Sequence, residues 1–266
     1  MKLLFSEATP DYPHYLFPYA IWALPEKGDT ASDLFNAGFL PASRQLDRYY
    51  MCRQVRVNLS SFEPSSENRR ILRKGGIVAT EVLPRKEFRY TARRRAAFLE
   101  YADRKFGKGV MTAQRLNSLF SSRLVSHLMV FTDTTTNQPV GTVTLFLEEP
   151  ATVFYYYAFY DLKHPIRNLG MFMMTSAAAH FAAAGFQHLY LGSVYSRNAF
   201  YKTQFKGAEF FNGFRWSGNL KELKYLLHRD ASPADHHLLE SSDYLAAFYD
   251  GNLSRLGKTH GIKISR

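Results

Sequence analysis

Three arginines within one helical turn or so, Arg69, Arg70 and Arg73, form the clearest chemical cluster in the sequence. A guanidinium is a planar fork of donors that matches phosphate oxygens better than a lysine point charge does. The three sit in a segment, 44–108, holding 17 Lys/Arg against 7 Asp/Glu, so +10 of the chain's +11 net charge lies there. That concentration points to RNA or another polyphosphate as partner, and equally describes a solvated basic helix face. Other residue types exclude chemistry. The single cysteine, Cys52, cannot form an internal disulfide or an all-cysteine metal site, and reads as a small hydrophobe beside a strand. Nine histidines show no ligand spacing, with His236 and His237 adjacent in a late loop, so no metal is expected. No Ser/His/Asp arrangement is visible, so no covalent nucleophile is expected either.

These side chains need elements to hold them. Hydrophobic residues make up 46% and charged residues 21%, a globular composition. The longest weakly polar run, 170–185, is broken by Thr175, Ser176 and His180, so no membrane span is expected. The start, Met1 to Phe5, meets Ser6 and Glu7 too early for a secretory signal, and the expected location is the cytoplasm. Prolines at 10, 13, 18, 25 and 41 limit the first 43 residues to short strands and turns. A short basic helix over 68–74, capped by Ser65 or Ser66, ends at Gly75-Gly76. A second helix spans 91–106. Polar residues 134–139 join strands 124–132 and 140–147 as a hairpin, and 153–160 is an aromatic third strand. An alanine- and methionine-built helix, 169–184, stops at Gly185 and leads to a strand over 187–194. A short helix over 196–205, a strand over 209–216 and an uninformative tail from 232 complete the reading. Strand, helix, strand in that order predicts two parallel strands within a mixed sheet, hence an α/β (α+β) fold.

Two ordered blocks carry a resemblance. The first is Gly38-Phe39, then Cys52-Arg53-Gln54-Val55-Arg56-Val57, then Phe62-Glu63-Pro64-Ser65 running to Arg69-Arg70. The second is Phe159-Tyr160-Asp161, Leu169-Gly170, Leu189-Tyr190-Leu191-Gly192 and Tyr201-Lys202. Together, over 10–216, they resemble the arginyl/leucyl-tRNA-protein transferases. The resemblance implies a basic N-terminal module (1–75), an acetyltransferase-like (GNAT) transferase domain (76–230) and a C-terminal tail (231–266). It implies an aminoacyltransferase that moves an amino acid from aminoacyl-tRNA, a co-substrate rather than a bound cofactor, to the N-terminal α-amine of a protein or peptide, typically one beginning with Asp or Glu. That is an N-degron tag. Relatives carry a Cys-x-x-Cys-x-x-Cys stretch of which this chain keeps only Cys52, and their Lys-Met before the Tyr-Lys pair is Asn198-Ala199 here.

An aminoacyl ester is already activated, so such an enzyme chiefly aligns an amine with a carbonyl and stabilises an oxyanion. The resemblance places the acyl group where two parallel strands splay, 153–160 and 187–194. There it implies Asp161 and Tyr201 as catalytic, Asp161 orienting the amine or the terminal ribose and Tyr201 donating to the ester or its leaving hydroxyl. Tyr157, Tyr190, Gly192 and Lys202 would bind substrate, and Arg69, Arg70 and Arg73 the tRNA phosphates. Each has a plainer reading, as a strand-end aspartate, a core aromatic, a strand-end glycine or a solvated charge. Three other functions stay open. One is an acyl-CoA N-acyltransferase, whose phosphate-cradling turn at 167–172 would be obstructed by Phe172 where a small residue is usual. The others are an aminoacyl-tRNA-dependent ligase acting on a small peptide or metabolite, and an RNA-binding module without catalysis.

Overall fold

The computed structural model describes residues 1–258. The chain divides into two compact units, one of Met1–Arg56, Gly192–Gln204 and the residues from Ala208 on, the other of Val57–Leu191 with Phe205–Gly207. This division differs from a linear split at residue 75. Two strands, β5 (Gln54–Asn58) and β10 (His188–Ser193), begin in one unit and end in the other.

The unit built on Val57–Leu191 is an α/β layer structure. Its strands β6 (Val78–Pro84), β7 (His127–Asp133), β8 (Gln138–Glu148) and β9 (Thr152–Tyr160) run antiparallel in the order β9-β8-β7-β6, and β10 lies parallel to β9. Successive side chains on a strand point to opposite faces, and β7 shows how both faces are filled. Leu128 and Val130 join the core under α3 (Ala92–Phe106) and α4 (Ala113–Phe120), together with Phe98, Tyr101, Leu116, Phe120 and Phe159. Phe131, next along the strand and on the opposite face, turns its ring edge-on to Phe172 of α5 (Leu169–Ala183), 6.0 Å away. Because α5 crosses from β9 to β10, the parallel pair is the expected one, and the sheet is the mixed α/β sheet anticipated.

Caps explain the helix limits. The Ser65 hydroxyl accepts from the Asn68 N–H at 3.1 Å and the Asn68 amide accepts from the Ser65 N–H, a reciprocal cap starting α2 (Ser66–Lys74). Thr91 caps α3 and Thr112 caps α4 more simply, each hydroxyl accepting from the backbone N–H three residues on. Gly75 ends α2 for a reason of space. A Cβ there would lie 2.0 Å from Cε2 of Phe172, so a glycine lets α2 and α5 close on each other.

In the other unit, β1 (Lys2–Glu7), β2 (Tyr19–Leu24), β3 (Phe39–Pro41) and β4 (Tyr49–Met51) form a sheet ordered β1-β2-β4-β3, as the proline spacing suggests. The segment expected as a single strand over 209–216 is a hairpin of β11 (Ala208–Phe211) and β12 (Trp216–Ser217). The Asn212 side chain accepts from the Phe214 and Arg215 N–H groups, and Gly213 has φ +99°, which turns the chain. Helices α1 (Ala31–Asn36), α6 (Leu220–Arg229), α7 (Ser242–Tyr249) and α8 (Leu253–Lys258) complete the described chain; part of the expected tail lies outside it. Glu222 of α6 is buried, and its carboxylate accepts from Asn212, Tyr244, Tyr249 and Ser217 at 2.8 to 3.0 Å. A buried charge is stable only when satisfied in this way, and here it ties α6 to α7. Among the described residues no helix is long and apolar enough to cross a membrane.

Candidate functional site

In the Val57–Leu191 unit the ladder between β9 and β10 runs from Thr152↔His188 to Phe154↔Tyr190, while β9 continues to Tyr160 against β8. That ladder ends within the unit at the Phe154↔Tyr190 pair. At the same end of β9 lies a cavity of about 820 Å³, large enough for a drug-sized ligand. Its aromatic floor is Phe98, Tyr101, Phe159 and Tyr160; the Phe98 and Phe159 rings stack at 4.6 Å, and Tyr101 meets Tyr160 at 4.8 Å. Arg93, Arg94 and Arg104 of α3 line one wall, and the loop after β9, from Asp161 to Pro165, lines another.

Asp161 lines the cavity, and its carboxylate also closes its own turn by accepting from the Lys163 N–H at 2.8 Å. Tyr157, half-buried one strand repeat back, stacks on Phe159 at 6.0 Å and joins the core beneath α3. Tyr190 is fully buried in β10 at 0% exposure. Leu189 and Leu191, on the opposite face of β10, are buried as well, so both faces of the strand are covered.

The acids and bases at the cavity are unequally occupied. Glu100 pairs with Arg104 at 2.7 Å, one turn away on α3. Arg94 lies over the Phe88 ring at 4.5 Å and donates to the Arg89 carbonyl, whereas Arg93 reaches only the Gln138 amide at 3.4 Å. Asp133 accepts from the Thr135 hydroxyl and N–H at 2.6 and 2.7 Å and from the Thr136 N–H at 3.2 Å. These donors, the Thr135 hydroxyl first and the His164 ring next, pull the Asp133 carboxyl down to about 2. His164 Nε2 faces the other Asp133 oxygen at 3.2 Å. Sequence reading missed this pair. The partners are 31 positions apart and meet only because β8 and β9 return the chain to the end of β7. No local spacing marks them.

Phe172 does not obstruct the first turn of α5. Its ring is buried against Gly75 and Phe131. What covers that turn is Tyr160, since a Cβ on Gly170 would sit 2.9 Å from its Cζ and hydroxyl. A phosphate seeking the helix start would meet the Tyr160 ring.

In the other unit, Gly192, Tyr201 and Lys202 gather around the end of β10. Gly192 has φ +80°, a left-handed conformation that L side chains avoid, and a Cβ there would find ordinary space 3.8 Å from Lys202 Nζ. The requirement is thus conformational. Lys202, on the 3-10 turn Arg197–Thr203, donates to the Ser193 carbonyl at 2.8 Å, and burial lowers its ammonium to about 8. Tyr201 on the same turn is 41% exposed. Cys52 is buried, and burial pushes its thiol up to about 12, so it packs and does not react. On α2, Arg69, Arg70 and Arg73 are all exposed; Arg70 pairs with Glu67 and Arg69 donates to the Pro64 carbonyl at 2.6 Å.

No protein-family model and no curated protein sequence matches the chain. Solved structures are similar in part. A C-terminal domain from Agrobacterium fabrum, described as lysylphosphatidylglycerol synthetase, is 15% identical with a TM-score of 0.43, over 61% of this chain and 51% of its own. FemX is 8% identical with a TM-score of 0.40, over 53% of each chain. A tandem GNAT protein from the clavulanic acid biosynthesis pathway is 10% identical with a TM-score of 0.35, over 72% of this chain and 55% of its own. The chain thus spans about half the length of these structures, and the likeness is one of partial fold.

Proposed function

We propose that the protein transfers an amino acid from aminoacyl-tRNA to the N-terminal α-amine of an acceptor polypeptide, one beginning with Asp or Glu. The observation that carries this reading is the open cavity at the end of β9, with an aromatic floor and the arginines of α3 along one wall. Acylating an amine with an ester asks for alignment more than for a nucleophile: a terminal amine titrates at about 7.7–8.0, so part of it is neutral at physiological pH. Arg93 and Lys163 at the cavity favour an anionic acceptor side chain, and the +10 of residues 44–108 favours a polyanionic donor. Tyr160 against the start of α5 speaks against a pyrophosphate in that turn, and so against an acyl-CoA donor.

The test is direct. The protein is incubated with tRNA charged with a mixture of labelled amino acids, or with labelled acetyl-CoA, and with peptides beginning in Asp, Glu, Arg or Ala. Label passing from tRNA to the Asp and Glu peptides is the expected result. Label passing only from acetyl-CoA makes the protein an acyl-CoA N-acyltransferase. In the same assay, Tyr201→Phe and Asp161→Asn each lower turnover by about 10²–10³-fold if their groups act on the reacting atoms. The side-chain carbonyl introduced by Asp161→Asn can still accept the Lys163 N–H, so the turn survives that change.

A further inference from the structure

Beyond the residues suggested by sequence, the cavity holds a proton-handling pair. His164 and Asp133 have side chains only 5% and 8% exposed, yet both line the cavity wall. The ring's proton is fixed by its neighbours. The Ile166 N–H donates to Nδ1 at 3.4 Å, so Nδ1 carries the lone pair and the proton resides on Nε2, directed at Asp133. A contact of 3.4 Å is at the long limit of an N–H···N bond, where about 2.9 to 3.0 Å is usual for N–H donors, so a nearer amine displaces it at little cost. Asp133 is held ionised by its donors, which suits it to stabilise an imidazolium and not to take the proton itself.

The surroundings leave this pair the available base. From α3, Glu100 is occupied by Arg104, while Arg93 and Arg94 are cations. From the pair's own loop, Asp161 is engaged by the Lys163 N–H. A carboxylate also gives too strong a conjugate acid to hold a proton at neutral pH, and imidazole is the commonest side-chain general base.

We propose that the Asp133–His164 pair is the proton acceptor for an amine bound in this cavity. The inference rests on the reading that the protein acylates an amine with an ester. As the amine nitrogen bonds to the ester carbonyl carbon, its proton passes to His164 Nδ1. The ester C–O bond then breaks, the leaving oxygen keeps the bonding pair, and the imidazolium returns one proton to it. Amine and ester become amide and alcohol with no net proton released.

The test uses the full chain, labelled aminoacyl-tRNA and the acceptor peptide found in the transfer assay, with rates followed against pH. His164→Gln retains a side-chain N–H for Asp133 and so keeps the loop in place, but offers no base. It is expected to lower kcat about 10²–10⁴-fold, to change the shape of the pH profile, and to leave tRNA binding and Tm unchanged. In His164→Ala, which opens space for the missing ring, added imidazole is expected to restore part of the rate. A Gln variant with the wild-type rate and pH profile overturns the proposal. Wild-type protein that moves no amino acid from any charged tRNA overturns the functional reading itself, and the pair's role with it.

Discussion

Lys202 is the residue whose charge is least at ease. Its ammonium is largely enclosed and donates to one carbonyl, that of Ser193, among the described residues. Burial sets its folded titration at about 8, against 10.5 when exposed. Below pH 8 both folded and unfolded chains carry the proton, and the folded chain bears the full cost of a buried cation. Between about 8 and 10.5 only the unfolded chain binds it, so the site's contribution to stability rises with pH across that window. Thermal unfolding of wild type beside Lys202→Met, at about pH 7 and about pH 10, should therefore show the wild type gaining on the variant at the higher pH. A difference independent of pH would show the amine to be solvated. The resemblance implied Lys202 as a substrate ligand; its tether to Ser193 lies beside Gly192, which the sequence marks only as a glycine near a strand end.

Elements were legible where local chemistry defines them. Ser65, Thr91 and Gly185 punctuate helices as caps do anywhere, and the polar turn at 134–139 makes a hairpin whatever surrounds it. β6 and α4 gave no such signal. β6 is an edge strand with Ala79, Thr80 and Glu81 all exposed, so its polar and apolar residues do not alternate, and α4 is only two turns long. The packing of α2 on α5 was also hidden, because a glycine at a helix end reads as a stop signal and here also acts as a spacer. Gly75→Ala forces a methyl group onto the Phe172 ring and is expected to destabilise by about 1–3 kcal/mol in denaturant titration. Adding Phe172→Ala removes the clash, so the double variant should cost less than the sum of the two single changes.

At the scale of the molecule, the fold class followed from the order of elements, but the candidate site did not follow from the order of residues. Asp161 could be placed because it ends a strand; Asp133 and His164 could not, because a pair made by two strand reversals has no sequence period. Charge was the global property read most directly. Arg69, Arg70 and Arg73 lie exposed on α2, outside the core. Replacing all three by alanine should weaken tRNA binding and reduce the slope of log affinity against log salt by ~0.7–0.9 for each phosphate no longer neutralised. Filter binding over a range of salt concentrations measures this, and an unchanged slope would assign the basic helix to solvation alone. One consequence of the layered core concerns how the chain is made. The buried members of the cluster beneath α3 and α4 run from Phe88 to Phe159, so on the ribosome the last of them emerges before α5 and β10 do. Synthesis of the following 33 or so residues takes about 2–6 s at ~5–20 residues per second. For that interval one face of the nascent sheet is already sealed, while Met129 and Phe131 on the other await α5, which makes this face the natural station for a chaperone.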